Sequence, residues 1–244
     1  MPEVSVSVCA VVPVGARLDT QTRAPDATVA IGRGRAGLAD AVRAAAATGA
    51  TWLWLLDARV RPDAAALEEL LAPLPATAAL GNPVLFAGKV VGADGRLDAD
   101  APPWPRLLAR ELAMAGADHR LAALRAARYG SLLVHRRAVE QHGPPRPEFA
   151  DAGDDLEWTG RVLRDEPGYL APRSVAVRVR DGQPDPLAFA ANRMRILRGD
   201  GWRGQEKAWF GFLFAQDLSQ RITARPSEAV RLARALVRGL RSPA

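Results

Sequence analysis

The sequence predicts an α/β fold, a mostly parallel sheet flanked by helices with a helical C-terminal segment. Two observations lead to this prediction. Short, nearly continuous apolar runs, typical of strands buried on both faces, alternate with segments of helical pattern. From residue 186 onward the pattern is helical throughout. We therefore expect an α/β domain over residues 1–185 and a helical extension over residues 186–244, packed on that domain or on a membrane or partner.

The first half of the chain contains the clearest elements. Its strands are β-branched or aromatic-rich apolar runs, and its helices carry the usual end signals, with Gly49 after one and Pro62-Asp63 opening the next. The predicted strands cover residues 4–14, 28–31 and 52–56, and the predicted helices cover residues 38–48 and 62–71.

The second half is less regular, with short apolar runs and a turn signal at Asp94-Gly95. Alternating Val and Arg side chains near residue 177 indicate a half-exposed strand. The predicted strands cover residues 84–86, 89–91, 129–134 and 175–179, and the predicted helices cover residues 107–115, 137–142 and 154–164.

Composition limits the classes of function. The chain has 244 residues and a formal charge of +6, and because Lys89 and Lys207 are its only lysines, the positive charge is nearly all arginine. Arginine suits bidentate contact with phosphate or carboxylate, although GC-rich codon usage explains the same excess. Basic residues do not alternate with aromatic ones, so no nucleic-acid partner is expected. Cys9 is the only cysteine, which excludes an intramolecular disulfide framework.

Targeting signals are also lacking. The longest strongly apolar run covers residues 52–56, far short of the roughly 20 residues of a membrane span. The N-terminus has neither a basic segment nor a long apolar one. We therefore expect a cytoplasmic protein, free or peripheral on the inner membrane face.

Asp57 follows the buried run at residues 52–56, at the strand end where open α/β sheets bind ligands. A carboxylate there can hold a divalent ion that bridges nucleotide phosphates. The alternative is that Asp57 merely ends the strand.

Four acidic side chains lie within seven positions at the start of a predicted helix, namely Asp151, Asp154, Asp155 and Glu157. Clustered carboxylates raise one another's pKa, which favours a general base. Helix capping is the alternative, since Asp154 and Glu157 have capping-box spacing, but it leaves Asp151 and Asp155 unexplained.

Two arginine-bearing segments suit anions. Arg33 and Arg35 stand among glycines before a helix, which indicates either an anion site at the helix N-terminus or a plain tight turn. At the C-terminus, arginines at helical spacing accompany leucines on another face, which suits an anionic membrane surface or a solvated helix equally well. These arginines are Arg231, Arg234, Arg238 and Arg241.

Taken in order, four segments resemble a family 2 glycosyltransferase of the GT-A fold, most similar to actinobacterial galactofuranosyl- and rhamnosyltransferases. They are the Gly-rich helix start at 34–49, the strand and Asp-x-Asp region at 52–63, the acceptor-side strand at 129–137 and the acidic motif at 153–158.

The resemblance implies inverting transfer of a sugar from a nucleotide-diphosphate sugar to a glycan or lipid-linked acceptor. It makes Asp155 the general base, with Asp154 and Glu157 beside it. The implied donor-binding residues are Asp57, Arg59, Arg33, Arg35, Arg178 and Arg180. The implied acceptor-side residues are Gly130, Ser131, Asp151 and Trp158.

The sequence departs from that family at three places. The second carboxylate of Asp-x-Asp is replaced by Arg59, the strand at 175–179 carries arginines where the family keeps a metal-binding His, and the segment after the first strand is short. The expected cofactor is therefore none or a divalent ion, Mn²⁺ or Mg²⁺, held by Asp57. Two hypotheses remain: a metal-independent transferase in which Arg59, Arg178 or Arg180 neutralises the diphosphate, and a catalytically degenerate scaffold that serves a partner.

Overall fold

The computed structural model describes residues 6–34, 36–98, 102–107, 109–149, 152–180 and 185–242. Arg35 and Asp151 lie outside the described residues. The strands are β1 Val8–Pro13, β2 Ala27–Ile31, β3 Trp52–Leu56, β4 Val60–Pro62, β5 Leu85–Val91, β6 Trp104–Pro105, β7 Ala122–Ala126, β8 Ser131–His135 and β9 Gly168–Arg178. The helices are α1 Gly37–Ala47, α2 Ala66–Leu71, α3 Arg110–Asp118, α4 Arg136–His142, α5 Asp154–Val162, α6 Pro186–Arg198, α7 Gly204–Ala224 and α8 Ala229–Arg241.

The described strands form a sheet in the order β2-β1-β3-β8-β5-β9-β7-β6, with β4 paired to β9. The predicted α/β class, a central sheet flanked by helices, is confirmed. The sheet is mixed, however, rather than mostly parallel: β8 runs antiparallel to both β3 and β5, and β9 is antiparallel to β4 and β7. β8 is as continuously apolar as a parallel strand because helices cover both faces of the sheet, so its composition does not reveal its direction.

Several predicted elements differ from the structure. The strand predicted at 175–179 is the C-terminal part of the longer strand β9, which begins at Gly168. Pro62 ends β4, where it pairs with Ala176 of β9, so the following helix begins only at Ala66. The two short strands predicted at 84–86 and 89–91 are one strand, β5, whose pairing with β9 shifts register between Gly88 and Lys89. β7 is an additional strand that the pattern analysis did not predict.

The core lies on both faces of the sheet. Along β1, Cys9 and Val11 pack into the cluster that contains α1 and α5, whereas Val8 and Ala10 pack into the opposite cluster with α2. β3 is buried at every position. Burial on both faces therefore explains the continuous apolar runs of these strands.

The segment between β1 and β2, residues 14–26, forms turns and contains no helix in the part of the chain that the structure describes. β2 nevertheless pairs in parallel with β1, with Cys9 opposite Ala27. The N-terminal segment thus keeps its second strand but not a connecting helix.

The helical extension packs on the α/β domain through α6. Asn192 of α6 donates hydrogen bonds from Nδ2 to the carbonyl oxygens of Ala152 (2.7 Å) and Phe149 (3.5 Å), just before α5. On its other side, α6 contacts α8, where Leu232 and Ala235 are buried. The extension therefore holds the segment that leads into the acidic helix. No helix among the described residues is both long enough and apolar enough to cross a bilayer.

Candidate functional site

A cavity of about 620 Å³, called here the first cavity, lies where β1 and β3 end and α5 begins. Asp57 and Arg59 line it from the end of β3, and Asp154 and Asp155 line it from α5. Its remaining wall includes Arg33. The structure thus brings together residues that are almost 100 positions apart in the sequence.

Arg59 occupies both carboxylate oxygens of Asp57. The backbone N–H and Nε of Arg59 donate to Oδ1 at 2.7 and 2.9 Å, and Nη2 donates to Oδ2 at 2.6 Å. The hydrogen bonds and charge of Asp57 raise the pKa of the Arg59 guanidinium. Since the Asp57 side chain is only 13% exposed, the pair forms a charge-neutral unit in the cavity wall.

Asp155 is similarly engaged. Its Oδ2 accepts from Arg128 Nε at 2.5 Å and from the Tyr129 backbone N–H at 3.4 Å, while Oδ1 accepts from the Leu156 backbone N–H at 2.8 Å. Arg128 in turn lies over the Phe189 ring of α6, 5.5 Å from its centroid. Both carboxylate oxygens of Asp155 are therefore already engaged by a cation and by two backbone donors.

The carboxylate of Asp154, unlike that of Asp155, is not paired with an arginine in the part of the chain that the structure describes. Burial and the negative charge of Asp155 raise its pKa from 3.8 to about 8, and among the described residues it forms no ion pair. Gly153, in a left-handed conformation with φ +86°, starts the helix directly before it. Asp154 is therefore the acid of the first cavity with a strongly perturbed proton affinity, a common feature of functional sites.

The capping box expected from the spacing of Asp154 and Glu157 is absent, because the N-cap residue is Gly153, which has no side chain to accept a hydrogen bond. Glu157 points elsewhere: its carboxylate accepts from Arg161 Nε and Nη2 at 2.8 and 3.2 Å and lies 3.6 Å from Arg146. Glu157 is outside the lining of the first cavity, so the geometry does not bring it to the other two acids.

Tyr129 is a further polar group of the first cavity that the sequence reasoning did not assign to the site. Its hydroxyl is buried without a hydrogen-bond partner. Burial, together with the charges of Asp154 and Asp155, raises its pKa well above the usual value, so the hydroxyl stays protonated.

The other predicted residues fall into two groups. Arg33 lines the first cavity, and its turn is tight, because Gly34 has φ +85° and a Cβ on Gly37 would lie 2.1 Å from the Gly32 carbonyl oxygen. Arg178 is instead paired with Asp98, and Arg180 lines a neighbouring cavity.

Three of the acceptor-side candidates, Gly130, Ser131 and Trp158, make contacts within the fold. Ser131 is fully buried and its Oγ accepts from Trp54 Nε1 at 2.9 Å. Trp158 is also buried, with Nε1 donating to the Gly143 carbonyl oxygen at 2.8 Å. Gly130 accepts from the Asp57 N–H at 3.1 Å, and a Cβ there would lie 2.3 Å from Val90. Gly130 therefore supports the site through its backbone.

The residues do not fit a divalent metal. No group of three His, Cys, Asp or Glu side chains suited to a metal occurs in the part of the chain that the structure describes. The one carboxylate at the expected position, Asp57, already binds Arg59 through both oxygens. A metal there would have to displace a guanidinium, and among the described residues it would gain a single carboxylate ligand.

Sequence reasoning missed Arg128 in this site, and it placed Tyr129 only within the acceptor-side segment 129–137 without naming it as a site residue. Arg128 contacts an acid 27 positions away, a separation at which local periodicity gives no information. The only available signal was position, because both residues lie two or three positions before the start of β8.

No protein-family model and no curated protein sequence matches this chain. Solved structures do. GalNAc-T7 with UDP, GalNAc and Mn²⁺ matches with a TM-score of 0.52 at 12% identity, over 79% of this chain and 48% of that one. S. aureus TarS matches with a TM-score of 0.55 at 11% identity, over 86% of this chain and 43% of the TarS chain. S. aureus TarS residues 1–349 in complex with UDP-GlcNAc match with a TM-score of 0.54 at 11% identity, over 94% of this chain and 79% of that one.

The chain has the GT-A fold of these glycosyltransferases. It spans about half the length of GalNAc-T7 and 43% of the longer TarS chain. At 11–12% identity the likeness concerns the fold, and a shared fold leaves the activity to be argued from the site.

Proposed function

We propose that this chain acts as a glycosyltransferase and binds its nucleotide-diphosphate sugar donor in the first cavity. The observation that carries the proposal is the meeting of Asp57 and Arg59 with Asp154 and Asp155 around one 620 Å³ cavity in a GT-A fold. Fold neighbours hold UDP or UDP-GlcNAc. The acceptor we propose is a glycan or a lipid-linked sugar, and the transfer is inverting, a single displacement assisted by one acidic side chain.

The base is best assigned to Asp154. A general base needs a carboxylate free to take a proton, and both oxygens of Asp155 already accept hydrogen bonds. Asp154 has a pKa of about 8 and lines the same cavity. In this proposal Asp155 and Arg128 position the start of α5, and Asp154 takes the proton from the acceptor hydroxyl.

Arg59 supports a metal-independent reaction. Its guanidinium lies in the cavity wall at the place where the resembling family keeps a metal carboxylate. A cation so placed can stabilise the departing diphosphate electrostatically. Binding then requires Arg59 to exchange part of its contact with Asp57 for the phosphate.

The first experiment measures donor binding. UDP-sugars and dTDP-sugars are titrated into the protein by calorimetry, with and without Mn²⁺, for wild type, Arg59→Ala and the exposed control Arg96→Ala, whose side chain is 89% exposed. We expect binding that is indifferent to Mn²⁺, weakened by Arg59→Ala and unchanged by Arg96→Ala. Failure of every nucleotide sugar to bind would overturn the proposed function.

The second experiment separates the two acids once a donor and acceptor pair turns over. Because Asp154 works only when deprotonated, turnover should rise with pH towards a plateau above about pH 8. Asp154→Asn should abolish it. Asp155→Asn removes a charge that raises the pKa of Asp154, so turnover should persist and its rise should move to lower pH. Loss of turnover in Asp155→Asn at every pH, with donor binding intact, would return the base to Asp155.

A catalytically degenerate scaffold is the second candidate function. The observation that favours it is that the carboxylates of Asp57 and Asp155 are both occupied by arginines. Such a scaffold would bind nucleotide sugars weakly or not at all and would show no turnover. The two experiments above therefore distinguish it from an active transferase.

A further partner that we propose is an anionic membrane surface, bound by α8. Leu232, Ala235 and Gly239 form its buried face. The opposite face exposes Val230 and Val237 between arginines, and the helix contains no acidic residue. Apolar side chains flanked by cations are the pattern by which interfacial helices bind anionic lipid.

A further inference from the structure

A second cavity, of about 360 Å³, adjoins the first cavity. The two cavities share five lining residues, Pro13, Val14, Leu56, Asp57 and Ala58. The second cavity is otherwise built by the turn after β1, by β4 and by the end of β9. Its volume lies in the range of small-ligand sites.

Three exposed arginines line the second cavity, one from each of these segments: Arg17, Arg61 and Arg180. Among the described residues none of the three has an ion-pair or side-chain hydrogen-bond partner. This contrasts with the neighbouring arginines Arg59 and Arg178, which are paired with Asp57 and Asp98. The acidic members of the lining are Asp19, which is exposed, and Asp57, which Arg59 neutralises. The cavity therefore carries an excess of positive charge.

The backbone holds these arginines in place. Arg61 lies opposite Val177 in the antiparallel pair of β4 and β9. Just beyond that ladder, the Val179 N–H donates to the Arg59 carbonyl oxygen at 2.9 Å, which ties the segment before Arg180 to β4. The Ala16 N–H donates to the Pro13 carbonyl oxygen at 3.1 Å and closes the turn that precedes Arg17. Arg61 and Arg180 thus stand on paired backbone.

We propose that the second cavity is an oxyanion subsite in which Arg17, Arg61 and Arg180 bind a phosphate-type group. Guanidinium groups bind such oxyanions through several N–H donors at once. Two sources fit this chemistry. One is the diphosphate of a donor whose nucleoside occupies the first cavity, and the other is an anionic group of the acceptor. Only this choice of source rests on the proposed function.

The test compares two triple variants of equal charge. The cavity variant carries Arg17→Ala, Arg61→Ala and Arg180→Ala. The control variant carries substitutions of three exposed arginines elsewhere, Arg43→Ala, Arg96→Ala and Arg110→Ala. All six arginines are exposed. Melting curves establish whether each triple variant folds. If a triple variant does not fold, the corresponding single variants take its place. Each protein is titrated with inorganic phosphate, uridine and UDP at low ionic strength, where charge interactions are least screened.

We expect phosphate to bind the cavity variant at least about tenfold more weakly than wild type, since exposed charge pairs contribute a few-fold each, and the control variant to bind as wild type. If the donor is the source, the gain in affinity from uridine to UDP disappears in the cavity variant. If the acceptor is the source, UDP binding is unchanged and phosphate still binds the UDP-saturated protein.

The subsite would be overturned if the cavity variant and the control variant bound phosphate with equal affinity and UDP with equal affinity. It would also be overturned if the wild type bound neither phosphate nor UDP. The proposed function fails separately: if neither uridine nor UDP binds while phosphate binding still depends on the three arginines, the subsite stands without a nucleotide sugar.

Discussion

Asp154 and Asp155 are consecutive in the chain and line the same cavity, yet the groups that surround their two carboxylates differ. Arg128 and two backbone N–H groups surround Asp155. The side chain of Asp154 is buried and is repelled by the charge of Asp155, and both effects raise its pKa to about 8. Such divergence between neighbouring acids is typical of sites that move protons.

The raised pKa of Asp154 has a consequence for stability that does not depend on activity. Its pKa is about 8 in the folded protein and near 3.8 in the unfolded chain. Between these values the unfolded chain binds fewer protons, so this group lowers the free energy of unfolding as pH rises. We therefore expect Asp154→Asn to gain stability relative to wild type from pH 5 to pH 8, as measured by urea unfolding.

The control for this measurement is Asp165→Asn. The Arg164 side chain lowers the pKa of Asp165, so this acid is ionised in both states above pH 5 and its effect should be constant over the same range. Parallel pH curves for wild type and Asp154→Asn would contradict the raised pKa.

At the scale of elements, the contact between α6 and α8 depends on a glycine. A Cβ on Gly239 would lie 2.2 Å from the Ala191 carbonyl oxygen, a backbone atom that cannot move aside cheaply. Arg198 also binds the C-terminal end of α8 through the carbonyl oxygens of Gly239 (3.2 Å) and Leu240. Close packing of this kind requires the absence of a side chain.

We expect Gly239→Ala to lower the free energy of unfolding by about 1–3 kcal/mol, the usual cost of forcing an extra carbon into a packed contact. Urea unfolding measures the effect. Gly204→Ala is the matched control, because a Cβ at Gly204 meets no atom within 4 Å. Equal losses in the two variants would show that the α6–α8 contact tolerates a side chain.

The exposed face of α8 leads to a test with lipid. We expect the protein to co-sediment with vesicles containing phosphatidylglycerol and to remain in solution with phosphatidylcholine alone, because arginine near an anionic surface contributes about 1 kcal/mol per residue. Replacing Arg231, Arg234, Arg238 and Arg241 by Gln should abolish sedimentation, whereas the same change at Arg43, Arg96, Arg110 and Arg173 should preserve it. Binding that is insensitive to both sets would exclude α8 as the contact.

At the scale of the whole molecule, prediction succeeded where the information is local. The runs at β1 and β3 are apolar at almost every position because the sheet is covered on both faces. Asp57 at the end of β3 and the acids at the start of α5 could be placed for the same reason, since each directly adjoins a recognisable element.

Prediction failed where partners are distant in sequence. The antiparallel direction of β8 and the extension of β4 through Pro62 depend on pairing with strands far along the chain. Arg178, expected at the donor, is held by Asp98 through a contact across 80 positions. Local periodicity describes which face of an element is apolar, and it does not describe which element lies beside it.

By itself, the sequence determined the α/β class, the buried strands, the position of Asp57 at a strand end and the acidic cluster at the start of α5, because these follow from local apolar periodicity and turn chemistry. Only the tertiary structure decided the charge state of the site. It placed Arg59 on Asp57 and Arg128 on Asp155, left Asp154 with a pKa of about 8, and set Arg17, Arg61 and Arg180 together around a second cavity. The energy of a charge depends on burial and on neighbours in space, and only the folded chain defines those.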